Sequence, residues 1–402
     1  MMMNEDVIIK QSKLSTAMMI LFAAACGLIV ANLYYSQTLV GPISTELGLS
    51  TEAAGLIVTL TQIGYVAGLL FIVPLSDKLE NRRLMISVLS IVVVALIVAA
   101  VSKQSPLFLT ATFFIGTGSV VAQILVPLAA HLSSEQERGR VVGNVMSGLL
   151  LGIMLARPVA SFITDIWGWR MIYVLSAVLM TLLTIWLSRS LPRRTPENKL
   201  TYLSLVASLI QLFRKYPILR RRAFYQACLF GAFSLFWTVV PLRLANDFGF
   251  TQGGIALFAL VGVAGAIAAP LAGRLADKGL TKNLTLTALL TATGSFLLIA
   301  LLHDHSYVAL VLLFISAITL DMAVSGNLVV SQRIIYSLGN EASGRLNGIF
   351  MAIFFIGGAA GSFLGGLTYA FGGWIWSAWL GVLLPLFAFL YFLTEYKQQH
   401  KR

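Results

Sequence analysis

Two charged side chains stand inside long apolar runs, where charge is costly and marks function by default. Arg157 lies between Ala156 and Pro158, and Asp321 lies between Leu320 and Met322, well away from either end of its run. An arginine so placed must find an anion, either an acidic side chain or an anionic group on a substrate. A carboxylate so placed can exchange a proton, because loss of water disfavours its charged form. It can equally serve as a polar lock to a neighbouring helix, and both readings stay open. A second set of charges sits where apolar runs end: Asp77 and Lys78 with Arg82 and Arg83, Asp277 with Lys278, and Arg140 and Arg345. An aspartate at a helix end can accept from the N-terminus of a neighbouring helix and pair with arginine, which is the chemistry of a gate. The plainer alternative is that these charges only orient the chain in a bilayer. A third set is polar or aromatic within apolar surroundings: Asn32, Tyr35, Gln37, Gln62, Gln123, Gln226, Trp237 and Asn327. These are candidates for lining a cavity, and Asn32 and Tyr35, three residues apart, share one helix face.

The elements that must position these residues follow from composition. Of 402 residues, 58% are hydrophobic and 11% charged, where a water-soluble domain carries about 25% charged residues. Lipid must therefore be the main solvent. Six apolar runs fall between residues 15 and 188 and six more between 223 and 394, each near the roughly 20 residues that a membrane helix needs. No alternation of period two is present, so a lipid-facing barrel is excluded. The prediction is an all-α integral membrane protein with twelve transmembrane helices. They form an N-terminal bundle (1–188) and a C-terminal bundle (223–402) joined by a linker (189–222). The linker carries Leu203, Leu205, Leu209, Ile210 and Phe213 at helical spacing and ends in Arg220, Arg221 and Arg222. Such a basic amphipathic helix is expected to lie on the anionic cytoplasmic leaflet.

With both termini cytoplasmic, 24 of the 28 lysines and arginines fall on the cytoplasmic side, and only Lys103, Arg170 and Arg243 on the other. That bias sets the predicted orientation in a bacterial inner membrane. The short charged leader precedes a run too long for a signal peptide and is read as leading into an uncleaved first span. The net charge of +12 lies in short segments between apolar runs, without the stacking aromatics of a single-strand binder, so no nucleic-acid partner is expected. Cys26 and Cys228 both fall within apolar runs and suggest neither a disulfide nor a metal site.

An internal repeat is visible. Gly139-Arg140 recurs 205 residues later as Gly344-Arg345, and at the same offset Gly152 meets Gly357, Gly168 meets Gly373 and Trp169 meets Trp374. Gly148, Gly152 and Ala156 make a small-residue seam that lets helices approach closely, and Gly357, Gly361 and Gly365 repeat it. The stretch Gly273-Arg274-Leu275-Ala276-Asp277-Lys278-Gly279 resembles the loop motif of the major facilitator superfamily, in its twelve-span drug:proton-antiporter-like branch. The stretch from Val73 to Arg83 resembles it in the first half without the leading glycine. The resemblance covers essentially the whole chain. It implies two six-helix bundles that alternate access to a central site lined by the first, fourth, seventh and tenth spans. It also implies gating roles for the Asp77 and Asp277 loops with Arg140 and Arg345. Two departures stand out. Thr112 occupies the fourth-span position where the branch carries an arginine four residues before a glycine, here Gly116. Ala156-Arg157 occupies the place of the branch's fifth-span Gly-Pro motif.

Enzymatic classes find no support: there is no paired-histidine zinc motif, no nucleophile elbow and no Gly-Lys of a phosphate-binding loop. The expected function is proton-coupled export of a small organic compound by a monomer, with no cofactor and no metal. The alternative is uptake or facilitated diffusion of a small metabolite without proton coupling. Protons, the small-molecule substrate and the lipid bilayer are the expected partners.

Overall fold

In a computed structural model, which describes residues 15–134, 137–196, 201–301, 304–338 and 343–399, every apolar run is helical and no described residue lies in a strand. Both chain termini, whose cytoplasmic location was expected, and the side chain of Asp277 lie outside the described residues. Eleven helical runs are long and apolar enough to cross a membrane. The last of them, Gly344–Glu395, is two helices: Gly373 breaks it with φ 63° and ψ −157°, a conformation a residue with a side chain rarely adopts. Among the described residues this gives twelve spans.

Local chemistry sets the helix ends. The third span, Asn81–Val101, begins where the Glu80 carboxylate accepts from the backbone N–H groups of Arg82 and Arg83. The tenth, Tyr307–Tyr336, begins where Ser306 Oγ accepts from Ala309 N–H. The third span also shows which solvent these helices face. Val88, Leu89, Val92 and Leu96 are buried, whereas Ile91, Val94, Ile97 and Val101 are 49–66% exposed. A helix apolar on its inner and outer faces alike is built for hydrocarbon.

Several spans are interrupted where they approach the molecular centre. The first (Thr16–Thr38) passes from α-helix through a turn into a 3₁₀ segment, Tyr35–Thr38. The second (Leu56–Asp77) widens to a π-helical turn over Gly68–Ile72 and tightens to 3₁₀ over Val73–Asp77. The fourth (Ser105–His131) breaks between Gly118 and Val121. Non-α turns of this kind free backbone and side chains to face a cavity.

Within each set of six spans the helices meet backbone to backbone. A methyl group on Gly148 would stand 2.3 Å from the Ala23 carbonyl oxygen, and one on Gly152 would stand 2.2 Å from that of Gly27, so the fifth span (Arg138–Trp167) seats directly on the first. The eleventh span repeats this on the seventh (Pro217–Asn246): a methyl group on Gly357 would run into the Ala227 carbonyl oxygen and one on Gly361 into that of Gly231. The linker contains one helix, Tyr202–Lys215, N-capped by Thr201. Leu205 and Leu209 are buried beneath it and Leu203 is 78% exposed.

The two ends of the bundle differ. At the end carrying Glu46 and Trp169 the two sets of six are closed on one another. A methyl on Gly55 of the second span would lie 2.6 Å from the Ser362 carbonyl oxygen of the eleventh, and Thr59 Oγ1 donates to the Ala359 carbonyl at 3.2 Å. At the end carrying Asp77 and Arg345 the helices diverge around a chamber.

Candidate functional site: a chamber beneath a buried ion pair

The chamber has a volume of about 520 Å³, within the range of small-molecule sites. Its walls come from the interrupted stretches described above. Tyr34 follows the end of the first helix, and Tyr65 and Leu69 flank the start of the π turn in the second. Gln123 and Pro127 come from the fourth span beyond its break, and Phe354 and Phe355 from the eleventh. Gln123 Nε2 donates to the Tyr65 hydroxyl at 3.1 Å. The Tyr65 and Phe355 rings, from different halves of the chain, lie 4.4 Å apart. Asp77, Arg194 and Arg345 line the chamber towards its mouth, where Arg345 also donates to Ser208 Oγ of the linker helix at 2.8 Å.

Beyond the Tyr34 end lie the two intramembrane charges, and the structure brings them together. Arg157 Nη2 stands 3.8 Å from Asp321 Oδ2, and both side chains are 2–3% exposed. The separation is longer than the 2.7–2.9 Å of a charge-assisted hydrogen bond, so the contact is an ion pair without a direct hydrogen bond. Asp321 Oδ1 instead accepts from Trp237 Nε1 at 3.0 Å. The Arg157 guanidinium lies over the Trp237 ring at 4.0 Å and the Phe233 ring at 5.0 Å. Its Nε and Nη1 have no protein partner. A methyl on Gly262 of the eighth span would lie 2.8 Å from Asp321 Oδ2, so only a glycine leaves this carboxylate its place. The pair links the fifth and tenth spans, one from each set of six. Tyr34, which lines the chamber, feels both charges. At an effective dielectric constant near 20 a pair at this distance attracts by about 4 kcal/mol.

The other residues singled out from the sequence fall in several places. Asn32 is buried and held locally, donating to the Leu28 and Ile29 carbonyls and accepting from Ser176 Oγ at 2.5 Å. Tyr35 and Gln37 are buried away from the chamber wall, and neither amide atom of Gln37 has a protein partner. Gln62 Nε2 donates to Ser234 Oγ at 3.0 Å, across the two sets of six. Gln226 and Asn327 bond one another at 2.6 Å, and Gln226 also donates to the Val324 carbonyl. Trp237 belongs to the ion pair. Of the eight cavity candidates Gln123 alone lines the chamber.

Among the gate residues, Asp77 faces the guanidinium groups of Arg345 and Arg194. Arg140 pairs within its own helix start with Glu137 at 2.9 Å, and Arg83 with Glu80 at 3.5 Å. Arg82 donates to the Leu191 carbonyl at 3.3 Å. Lys78 closes the 3₁₀ turn at the end of the second span. Lys278 caps the eighth span through its backbone N–H. Sequence reasoning missed Tyr34, Arg194 and the Phe354–Phe355 pair. A signal for the last was present: two adjacent aromatics two to three residues before the glycine seam of the eleventh span.

Comparison with known proteins gives a consistent picture. A family model described as Major Facilitator Superfamily matches residues 17–336 and again 223–402. An "Uncharacterized transporter YgaY" of Escherichia coli O157:H7 is 40% identical over 388 residues, covering 96% of this chain and 98% of its own length. The "Purine ribonucleoside efflux pump NepI" of Shigella dysenteriae serotype 1 is 23% identical over 364 residues, covering 88% and 87%. Among solved structures, a POT family transporter in complex with 5-aminolevulinic acid superposes with a TM-score of 0.77. It is 15% identical and the match covers 95% of this chain and 96% of that one, a likeness of fold.

Proposed function

Since the chain belongs to the major facilitator superfamily and is a multi-pass membrane transporter rather than an enzyme, we propose that it exports a small organic compound in exchange for protons. The single observation that carries this reading is the Arg157–Asp321 pair, buried between the two sets of six spans next to the chamber. The charge bias of the sequence assigns the Asp77 end to the cytoplasm, so this conformation presents the chamber inward. To open the opposite end, the fifth and eighth spans must part and the buried pair must separate. Breaking such a pair costs about 3–5 kcal/mol when one charge is left uncompensated.

When the outer end is open, Asp321 takes up a proton from outside in place of its attraction to Arg157, and re-forming the pair as that end closes releases the proton towards the chamber. A proton moving inward gains about 2.3 kcal/mol per 100 mV of potential and about 1.4 kcal/mol per unit of pH difference. Those terms together are of the size needed to offset the separation. In this reading Arg157 supplies the cation that Thr112 does not, and Trp237 holds Asp321 in position while it is ionised. The gate reading of Asp77 with Arg345 fits the same cycle, since both stand at the mouth of the chamber. The halves 1–188 and 223–402 move as two bodies, and the linker 189–222 spans them. Export is favoured over uptake because a relative is named as an efflux pump, and similarity to bacterial transporters supports an inner-membrane location.

The test is proteoliposomes with an imposed pH gradient, using purine ribonucleosides as first probes. Substrate-dependent proton movement in the wild type, lost in Asp321→Asn while binding is kept, supports the proposal. Full gradient-driven transport by Asp321→Asn would remove this residue from coupling. Downhill flux without proton movement would favour facilitated diffusion.

A further inference from the structure

The chamber's lining also speaks to the charge its ligand can carry. Its inner part is aromatic: Tyr34, Tyr65, Phe354 and Phe355 surround the space, with the Phe354 and Phe355 rings 4.9 Å apart and near perpendicular. Gln123 contributes an amide that donates one N–H to the Tyr65 hydroxyl, leaving its oxygen as an acceptor and its second N–H as a donor. Formal charge among the described lining residues is confined to Asp77, Arg194 and Arg345. Two guanidinium groups therefore share one carboxylate there. Near Tyr34, Arg157 already compensates Asp321, and that carboxylate is further occupied by Trp237. A ligand cation would thus enter a space with a surplus of positive charge and no free carboxylate among the described residues. Attraction of a cation to ring faces is weaker than the cost of stripping water from an uncompensated ion. An uncharged ring system loses nothing on this account and gains the ring stacking. An acidic group on such a ring can face Arg194 and Arg345.

We infer that the chamber takes flat aromatic compounds that are uncharged or singly anionic, and rejects organic cations. This rests on the chamber being the substrate site, and its test does not depend on proton coupling.

Purified full-length protein in detergent is titrated with three size-matched sets of fused-ring compounds: uncharged heteroaromatics, aromatic carboxylates and permanently cationic quaternary aromatics. Thermal stabilisation is the readout. The expected result is half-saturation by members of the first two sets at concentrations at least tenfold below any cation. A Gln123→Glu variant, which adds a carboxylate to the wall, is expected to close or reverse that gap. Cations binding as well as the other sets would overturn the inference, as would a panel in which no uncharged or anionic member stabilises the protein. A wild-type ranking that Gln123→Glu leaves untouched places the ligand elsewhere and overturns it too. Proton movement driven by a cationic compound would overturn the charge rule and leave the exchange mechanism standing. Selective binding of uncharged compounds without any proton movement would do the reverse.

Discussion

The two ends of this molecule are held together by different kinds of contact. At the Glu46 end, opposing helices touch at close range: Gly55 against Ser362, Gly253 against Asp165, and Thr59 bonded to Ala359. The first and last of these contacts are buried, and the Arg157–Asp321 pair adds a link between the fifth and tenth spans. At the Asp77 end, the two sets of six are bridged by longer and wetter means. Arg345 reaches the linker helix through Ser208, and the linker reaches the second span through the Tyr202 hydroxyl on the Phe71 carbonyl. Packing of the first kind is lost all at once when a helix tilts. Hydrogen bonds from long side chains yield one at a time. In the proposed cycle the closed end serves as a latch, and the open end as a set of tethers.

The largest effect is expected at the pair. Arg157→Met should destabilise the protein by about 3–5 kcal/mol, because it strands a buried carboxylate. The double variant Arg157→Met with Asp321→Leu should recover most of that loss in a thermal-unfolding assay while losing gradient-driven transport. A double variant no more stable than Arg157→Met alone would mean the two charges are not energetically coupled. Next comes the latch. Gly55→Val forces side-chain atoms against the Ser362 carbonyl, and overpacking of this order costs about 1–3 kcal/mol. That is roughly a 5- to 150-fold shift away from the closed outer end, readable as labelling of a cysteine introduced at Ala359, which is buried in the closed seam. Unchanged labelling would show that the seam can absorb a side chain.

A smaller effect is expected at the tethers. Arg345→Ala removes the hydrogen bond to Ser208, about 0.5–1.5 kcal/mol, and one of the two guanidinium groups facing Asp77, while Arg194 remains; it should alter the inward-to-outward ratio by no more than about tenfold. A larger change would promote Arg345 from tether to principal lock. The smallest is expected at Arg140, whose partner Glu137 is on its own helix and whose side chain is 66% exposed. Exposed pairs contribute about 0–1 kcal/mol, so Arg140→Ala should leave transport rates within a factor of two. Loss of transport in that variant would restore the gate role suggested by its place in the repeat.

Much of the fold was legible because lipid imposes a simple grammar: apolar runs of sufficient length must be helices, and small residues four apart mark where helices touch. The seam glycines behaved accordingly, with a slip. The 205-residue offset matches Gly152 to Gly357, yet Gly357 occupies the place against the seventh span that Gly148 occupies against the first. That is a shift of one helical turn, which a repeat read from end motifs cannot reveal. The site was harder to read. Arg157 and Asp321 stood out because charge is rare in such surroundings, but their meeting depends on how the fifth and tenth spans face one another. Most amides expected in the cavity wall are spent within the protein: Asn32 on Ser176, Gln226 on Asn327 and Gln62 on Ser234. A buried amide needs partners wherever it lies, so its presence in an apolar run does not distinguish glue from lining. The aromatic wall was faint for the opposite reason, since phenylalanine is common along the chain, at 24 of 402 residues.

The linker helix has one more effect. Leu209, Arg194 and the Arg345–Ser208 contact set it beside the chamber mouth, while Tyr202 fastens it to the second span. The helix is thus a short rod that belongs to neither set of six, yet is tied to one of them by Arg345 and to the other by Phe71. Any movement of the two sets apart at this end must therefore stretch or release it, so its length is a spacer as well as a tether.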